Sequence, residues 1–66
     1  MDLHVQTYLS GIMAGKYSPC NIIAWCENWA QTCERHGLHP AFLRWHHRAE
    51  QIRGVCLAYN ITDNTR

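Results

Sequence analysis

The segment that decides the fold is residues 37–59, GLHPAFLRWHHRAEQIRGVCLAY. Gly37 is suited to ending one helix, and Pro40 to opening the next, because a first-turn proline loses no helical hydrogen bond. From there apolar residues recur at alternating spacings of three and four, which is the period of one helix face. The repeat predicts a helix over residues 40–59, with a seam formed by Phe42, Trp45, Ala49, Ile52, Cys56 and Tyr59.

A second helix is predicted just before this segment, over residues 19–36. Ser18 can offer its hydroxyl to the free amides of the first turn, and Pro19 takes the first helical position. Because the connection that follows is short, the two helices are expected to pack as an antiparallel αα-hairpin. The seam that faces the partner helix consists of Ile22, Cys26, Trp29, Cys33 and His36.

A shorter helix is predicted at the N-terminal side, over residues 3–14. Asp2 can cap its start, and Gly15 stands where a left-handed residue closes many helices. Residues 60–66 are polar and are expected to fray. The predicted fold class is all-α, with one domain over residues 1–66. The apolar face of the first helix consists of Val5, Tyr8, Leu9, Ile12 and Met13.

The size of the chain favours self-association. A domain of about 60 residues buries only about 60% of the surface that its unfolded chain exposes, and this chain has 66 residues. The helix over residues 40–59 also has a second apolar edge, with Leu43 and Leu57 beside Gly54. That edge must meet the first helix or another chain. We therefore expect two copies to complete the core as a homodimeric helical bundle.

Composition and charge exclude several classes of protein. Apolar residues make up 47% of the chain and charged residues 17%, which is not the composition of a disordered segment. The net charge is only +1, so no strong overall field draws the chain to nucleic acid or lipid. We expect no export signal and no membrane span, and therefore a cytoplasmic location with reduced thiols.

Enzymatic and metal chemistry have little support. The chain has no glycine-rich phosphate loop and only five acidic residues, so we expect no catalytic site and no cofactor. Cysteine and histidine are frequent enough to raise the question of a structural zinc ion. The weak candidate ligands are Cys26, Cys33, His36 and His39, but their spacing matches no standard zinc finger. Small apolar core residues are the alternative interpretation of the cysteines on the helix seams.

Aromatic and arginine side chains provide the candidate binding surface. Trp25 is at the edge of its seam and Tyr17 is in a turn, while Arg44, His47 and Arg48 share the predicted outward face of the third helix. Tryptophan, tyrosine and arginine are the residue types that dominate interface hot spots. An ordinary solvated helix face is the alternative for the basic residues.

The function that these features predict is binding to a larger protein. We expect a small inhibitor or adaptor, of the style that phages and mobile elements encode, although that comparison rests only on size and architecture. The alternative is a nucleic-acid-binding helical dimer, on RNA rather than DNA, that uses the basic face of the third helix. Near-zero net charge favours the protein partner.

Overall fold

The structure is a computed structural model that describes residues 2–61 of the chain. It contains helices α1 (Leu3–Met13), α2 (Pro19–Arg35) and α3 (His39–Ala58), and no strand occurs between residues 2 and 61. α2 and α3 form a helical hairpin, and α1 packs against α3. The predicted all-helical fold with a hairpin is therefore confirmed over this range.

The turns that separate the helices depend on two glycines. Gly15 and Gly37 have φ angles of +76° and +71°, a left-handed conformation that a side chain disfavours. After α2, the Gly37 amide donates to the Glu34 carbonyl at 3.1 Å and the Leu38 amide donates to the Cys33 carbonyl at 2.8 Å. These hydrogen bonds close the helix with a left-handed cap and turn the chain back toward α3.

The helix starts differ in how they are capped. The Asp2 carboxylate accepts a hydrogen bond from the His4 amide at 2.7 Å, which confirms the predicted cap of α1. The predicted Ser18 cap of α2 is wrong, because the Ser18 side chain makes no capping hydrogen bond to the helix. Pro19 begins α2 all the same, since its ring already fixes a helical φ angle.

The core consists of small and branched side chains. Its fully buried members of largest volume are Ile52, Val5 and Cys26. Ile12, Ala49 and Cys56 complete the cluster, while Trp45 and Ile61 are partly buried against it. No aromatic ring is fully buried among residues 2–61. The fully buried part of the core therefore consists of a few aliphatic and thiol side chains, and partly buried rings such as Trp45 pack around it.

Several residues of the predicted seams are exposed. These exposed residues are Met13, Trp29, His36 and Tyr59. Tyr59 follows the last residue of α3 and serves as its C-cap. His36 is the C-cap of α2, and Trp29 is 42% exposed although its ring stacks on Trp45. From α1, Val5 and Ile12 join the core around Ile52.

The predicted frayed tail requires one correction. Ile61 packs against the core, and its amide donates to the Cys56 carbonyl at 2.8 Å across a positive-φ Asn60. The chain is thus held in place for several residues after α3 ends. Residues 62–66 of that predicted tail lie outside the described residues.

Candidate protein-docking surface

Three indole rings form a continuous row across the hairpin. Trp25 and Trp29, one turn apart on α2, meet edge to face with ring centroids 6.0 Å apart. Trp29 then stacks on Trp45 of α3, with centroids 5.9 Å apart and an angle of 20° between the planes. We call Trp25, Trp29 and Trp45 the aromatic row. Such pairs stabilise each other beyond the area that they bury, so the row presents a pre-organised surface.

The aromatic row is open to solvent on its α2 side. Trp25 is 52% exposed and Trp29 is 42% exposed. Together with Asn28 and Thr32, the two rings line a shallow cavity of about 300 Å³. The Thr32 hydroxyl donates to the Asn28 carbonyl at 3.0 Å, so this polar group already has a partner within the helix. The cavity therefore offers mainly indole surface to a ligand.

Arg48 closes the row at its α3 end, and its position corrects the sequence prediction. The helical period predicts that Arg48 faces outward, but it is only 9% exposed. Its guanidinium lies 4.5 Å from the centroid of the Trp45 ring, and its Nε donates to the Asp2 carboxylate at 3.2 Å. The charge is neutralised by Asp2, and the side chain covers an aromatic face, which together permit burial of the residue.

The Asp2 carboxylate links the start of α1 to Arg48 and, through Arg48, to the Trp45 ring. Partial desolvation raises its pKa, but the hydrogen bond from the His4 amide and the hydrogen bond and charge of Arg48 outweigh that effect. The net result is a pKa lowered from the ordinary value of 3.8. The ionised carboxylate is thus favoured in the folded protein.

Arg44 and His47 are exposed on α3, as predicted. They line a cavity of about 300 Å³ whose other walls include Asp2 and Arg48. Arg48 consequently lies between the aromatic row and this second cavity. The structure brings four of the predicted binding residues into one connected region, which contains Trp25, Arg44, His47 and Arg48.

Tyr17 lies elsewhere. It is in the connection between α1 and α2, and its ring is packed so closely on Gly11 that a Cβ at that position would clash with it. No described contact joins Tyr17 to the aromatic row. Its local packing on α1 explains the position of the ring within the protein.

The four weak zinc candidates are not brought together. Cys26 and Cys33 are buried in the hairpin, whereas His36 and His39 are exposed near the α2–α3 connection. Residues 2–61 contain no group of three or more potential ligands that could hold a metal ion. Burial raises the pKa of the Cys26 thiol, which Arg48 partly offsets, so Cys26 behaves as a small core residue.

Two aromatic features of the hairpin do not follow from the predicted seams. Trp29 is predicted in a buried seam, yet it is 42% exposed and forms the middle of the aromatic row. Trp45 packs partly against the core, as its seam position predicts, and also forms the α3 end of the row. A second stack places His39 and His46 on either side of Phe42, each 5.8 Å from it between ring centroids. The spacing of three and four along α3 would have indicated this second stack.

Neither a membrane-spanning helix in residues 2–61 nor a known relative indicates the function of this chain, so the docking surface is the basis for the proposed function. Within the described residues, no helix is both long enough and apolar enough to cross a membrane. No protein-family model, no curated protein and no solved structure matches the chain.

Proposed function

We propose that this protein is a small regulator, an inhibitor or adaptor, that binds a larger protein as a homodimer. The aromatic row is the proposed docking surface, and Arg44 and His47 are its polar flank. The observation that carries the proposal is that Trp25 and Trp29 are exposed while the core uses side chains no larger than isoleucine. An apolar surface of this kind on a small chain typically marks an interaction site.

The physical properties of the row suit a binding hot spot. Indoles bring a large contact area with only two rotatable side-chain bonds, so little conformational entropy is lost on binding. The contacts from Trp25 through Trp29 and Trp45 to Arg48 restrict the rings before a partner arrives. Pre-organisation of this kind lowers the free-energy cost of association.

The nucleic-acid alternative has weaker support. Two arginines of α3 are engaged within the protein, because Arg48 pairs with Asp2 and Arg53 pairs with Glu27 and Glu50. Nucleic-acid binding gains affinity when cationic side chains neutralise phosphates and the counterions condensed on the nucleic acid are released. Arginines that are already paired within the protein contribute less to this effect. We therefore rank a protein partner first. A cytoplasmic location and the absence of catalysis remain predictions.

The test is retention of a protein partner by defined variants. The tagged chain, Trp25→Ala and Tyr59→Ala are each incubated with nuclease-treated lysate from the native host. Tyr59 is another exposed aromatic residue outside the aromatic row, so Tyr59→Ala is the matched control. We expect one stoichiometric protein to be retained by the wild type and the control, and to be lost with Trp25→Ala.

Two outcomes would contradict the proposal. Equal retention by Trp25→Ala and the wild type would remove the aromatic row from the interface. Recovery of RNA without nuclease, together with loss of all bound protein after nuclease treatment, would favour the nucleic-acid alternative. In that case binding to the RNA should weaken steeply as the salt concentration rises.

A further inference from the structure

We propose that the second copy of the chain docks on the flank of the hairpin formed by the C-terminal half of α3 and the N-terminal half of α2. We call this surface the Leu57 groove; its lining includes Pro19, Ile23, Cys56, Leu57 and Ile61. The inference rests on the homodimer of the proposed function and specifies its interface. In this arrangement the second copy binds the Leu57 groove, and the larger protein binds the aromatic row on the other flank of the hairpin.

The first argument concerns the glycine in the middle of α3. Gly15 and Gly37 adopt positive φ angles, and Gly11 is needed because the Tyr17 ring packs on it. Gly54 has neither reason, since a Cβ built there meets no atom within 4 Å. Glycine weakens a helix interior unless something must approach the backbone closely. Within the described chain nothing approaches Gly54, which points to a second chain.

The second argument is the shape of the surface beside Gly54. The Leu57 groove is an apolar depression of about 440 Å³ between α2 and α3. Leu57 stands on its wall and is 73% exposed. A two-fold interface pairs each residue of the surface with its counterpart on the same surface. Each copy thus offers both a protruding leucine and an apolar groove that can receive one.

The third argument is the charge on the rim of the groove. Arg53 donates to the Glu27 carboxylate at 3.0 Å and also pairs with Glu50, and these side chains remain between 40% and 55% exposed. A rim that carries both signs can face its own copy without net repulsion, because each Arg53 can approach a carboxylate of the other chain. A partner whose surface carries one dominant charge could pair with only one sign of this rim and would be repelled by the other. The rim therefore favours a second copy.

The geometry of α2 keeps the two proposed interfaces apart. Ile23 lines the Leu57 groove, whereas Trp25 belongs to the aromatic row. Residues two apart on a helix point about 200° from each other, that is, to opposite sides. A dimer formed through the groove leaves the aromatic row free to bind a larger protein.

Sedimentation velocity of the full chain over a concentration series tests the inference. The wild type should dimerise, and Leu57→Glu should raise the dimer dissociation constant by about a hundredfold or more, because the interface would bury an unpaired charge. Leu3→Glu is the matched control, since Leu3 is 74% exposed but lies on α1. Circular dichroism of both variants establishes that they remain folded. A wild type that is monomeric throughout, or equal effects of the two glutamates, would overturn the inference.

A proximity measurement complements these variants. Gly54→Cys in a Cys20→Ser background should form an intermolecular disulfide under mild oxidation, and Leu3→Cys in the same background should not. Trp25→Ala should dimerise like the wild type. If Trp25→Ala dissociates the dimer while Leu57→Glu does not, the interface is the aromatic row and the inference is wrong. Partner retention by the same variants is a separate readout, so failure of the proposed function is recognised independently.

Discussion

Arg48 and Asp2 are separated by 46 positions in the sequence, yet the Nε of Arg48 lies 3.2 Å from the Asp2 carboxylate. This pair attaches the first turn of α1 to the middle of α3. The same guanidinium covers the face of Trp45. One arginine therefore stabilises the tertiary position of α1 and completes the aromatic row.

Substitution of Arg48 should reveal both roles. Arg48→Ala should lower the free energy of unfolding by about 1–3 kcal/mol, because it removes the packing on Trp45 and the ion pair. Arg48→Met should recover part of the loss, since it keeps an apolar stem over the indole while the partly exposed Asp2 stays hydrated. Urea unfolding in parallel measures both variants. Identical losses would show that the stem contributes nothing.

The Asp2 carboxylate should make stability depend on pH in the acidic range. Its pKa is lowered in the folded state from 3.8, so its contribution is present above that value. The contribution is lost as the pH falls through the lower folded-state pKa. Asp2→Asn keeps a capping side chain and removes the charge. Urea unfolding should separate Asp2→Asn from the wild type at neutral pH and bring them together at strongly acidic pH. A constant difference would contradict this account.

Stability should respond more to a small core residue than to a large exposed one. Ile52→Ala should cost about 2–5 kcal/mol, because Ile52 is fully buried and its loss leaves a cavity. Trp25→Ala removes a larger side chain but should change the free energy of unfolding by less than about 1 kcal/mol. Thermal unfolding of both variants in one buffer tests the contrast. A loss at Trp25 as large as at Ile52 would make the aromatic row a structural element.

Gly54→Ala should have opposite effects on the monomer and on the dimer. In a Leu57→Glu background, which is monomeric on our proposal, alanine should raise the free energy of unfolding by about 0.5–1 kcal/mol. In the wild-type background the added methyl group should weaken the dimer, because it occupies the point of closest approach. Unfolding and sedimentation measurements on the four combinations decide this. Improved stability together with tighter dimerisation would contradict a close approach at Gly54.

The sequence was informative about local structure because its signals act locally. Pro19, Gly15 and Gly37 fix backbone angles within a turn, so they predict where helices begin or end. The alternating spacings then predict which side of α2 and α3 faces the other helix, and the buried Cys26 and Ile52 follow from it.

The candidate site was less predictable because it depends on contacts between distant segments. A helical period cannot tell which seam residues a third helix will cover, and Trp29 is 42% exposed in the structure. Nor could it predict that Arg48 pairs with the carboxylate of Asp2 at the N-cap of α1. An arginine beside a seam is as compatible with solvent as with an ion pair. The exposure of Trp29 and the ion pair of Arg48 both depend on tertiary packing, which cannot be read from a short stretch of sequence.

The three-residue connection between α2 and α3 has a consequence for the order of folding. Residues 36–38 close the hairpin with hydrogen bonds between near neighbours, whereas α1 is held through the distant pair of Asp2 and Arg48. Proteins dominated by local contacts fold within microseconds to milliseconds. The hairpin should therefore assemble first and α1 should dock afterwards, so a change at Asp2 should accelerate unfolding while leaving the refolding rate nearly unchanged.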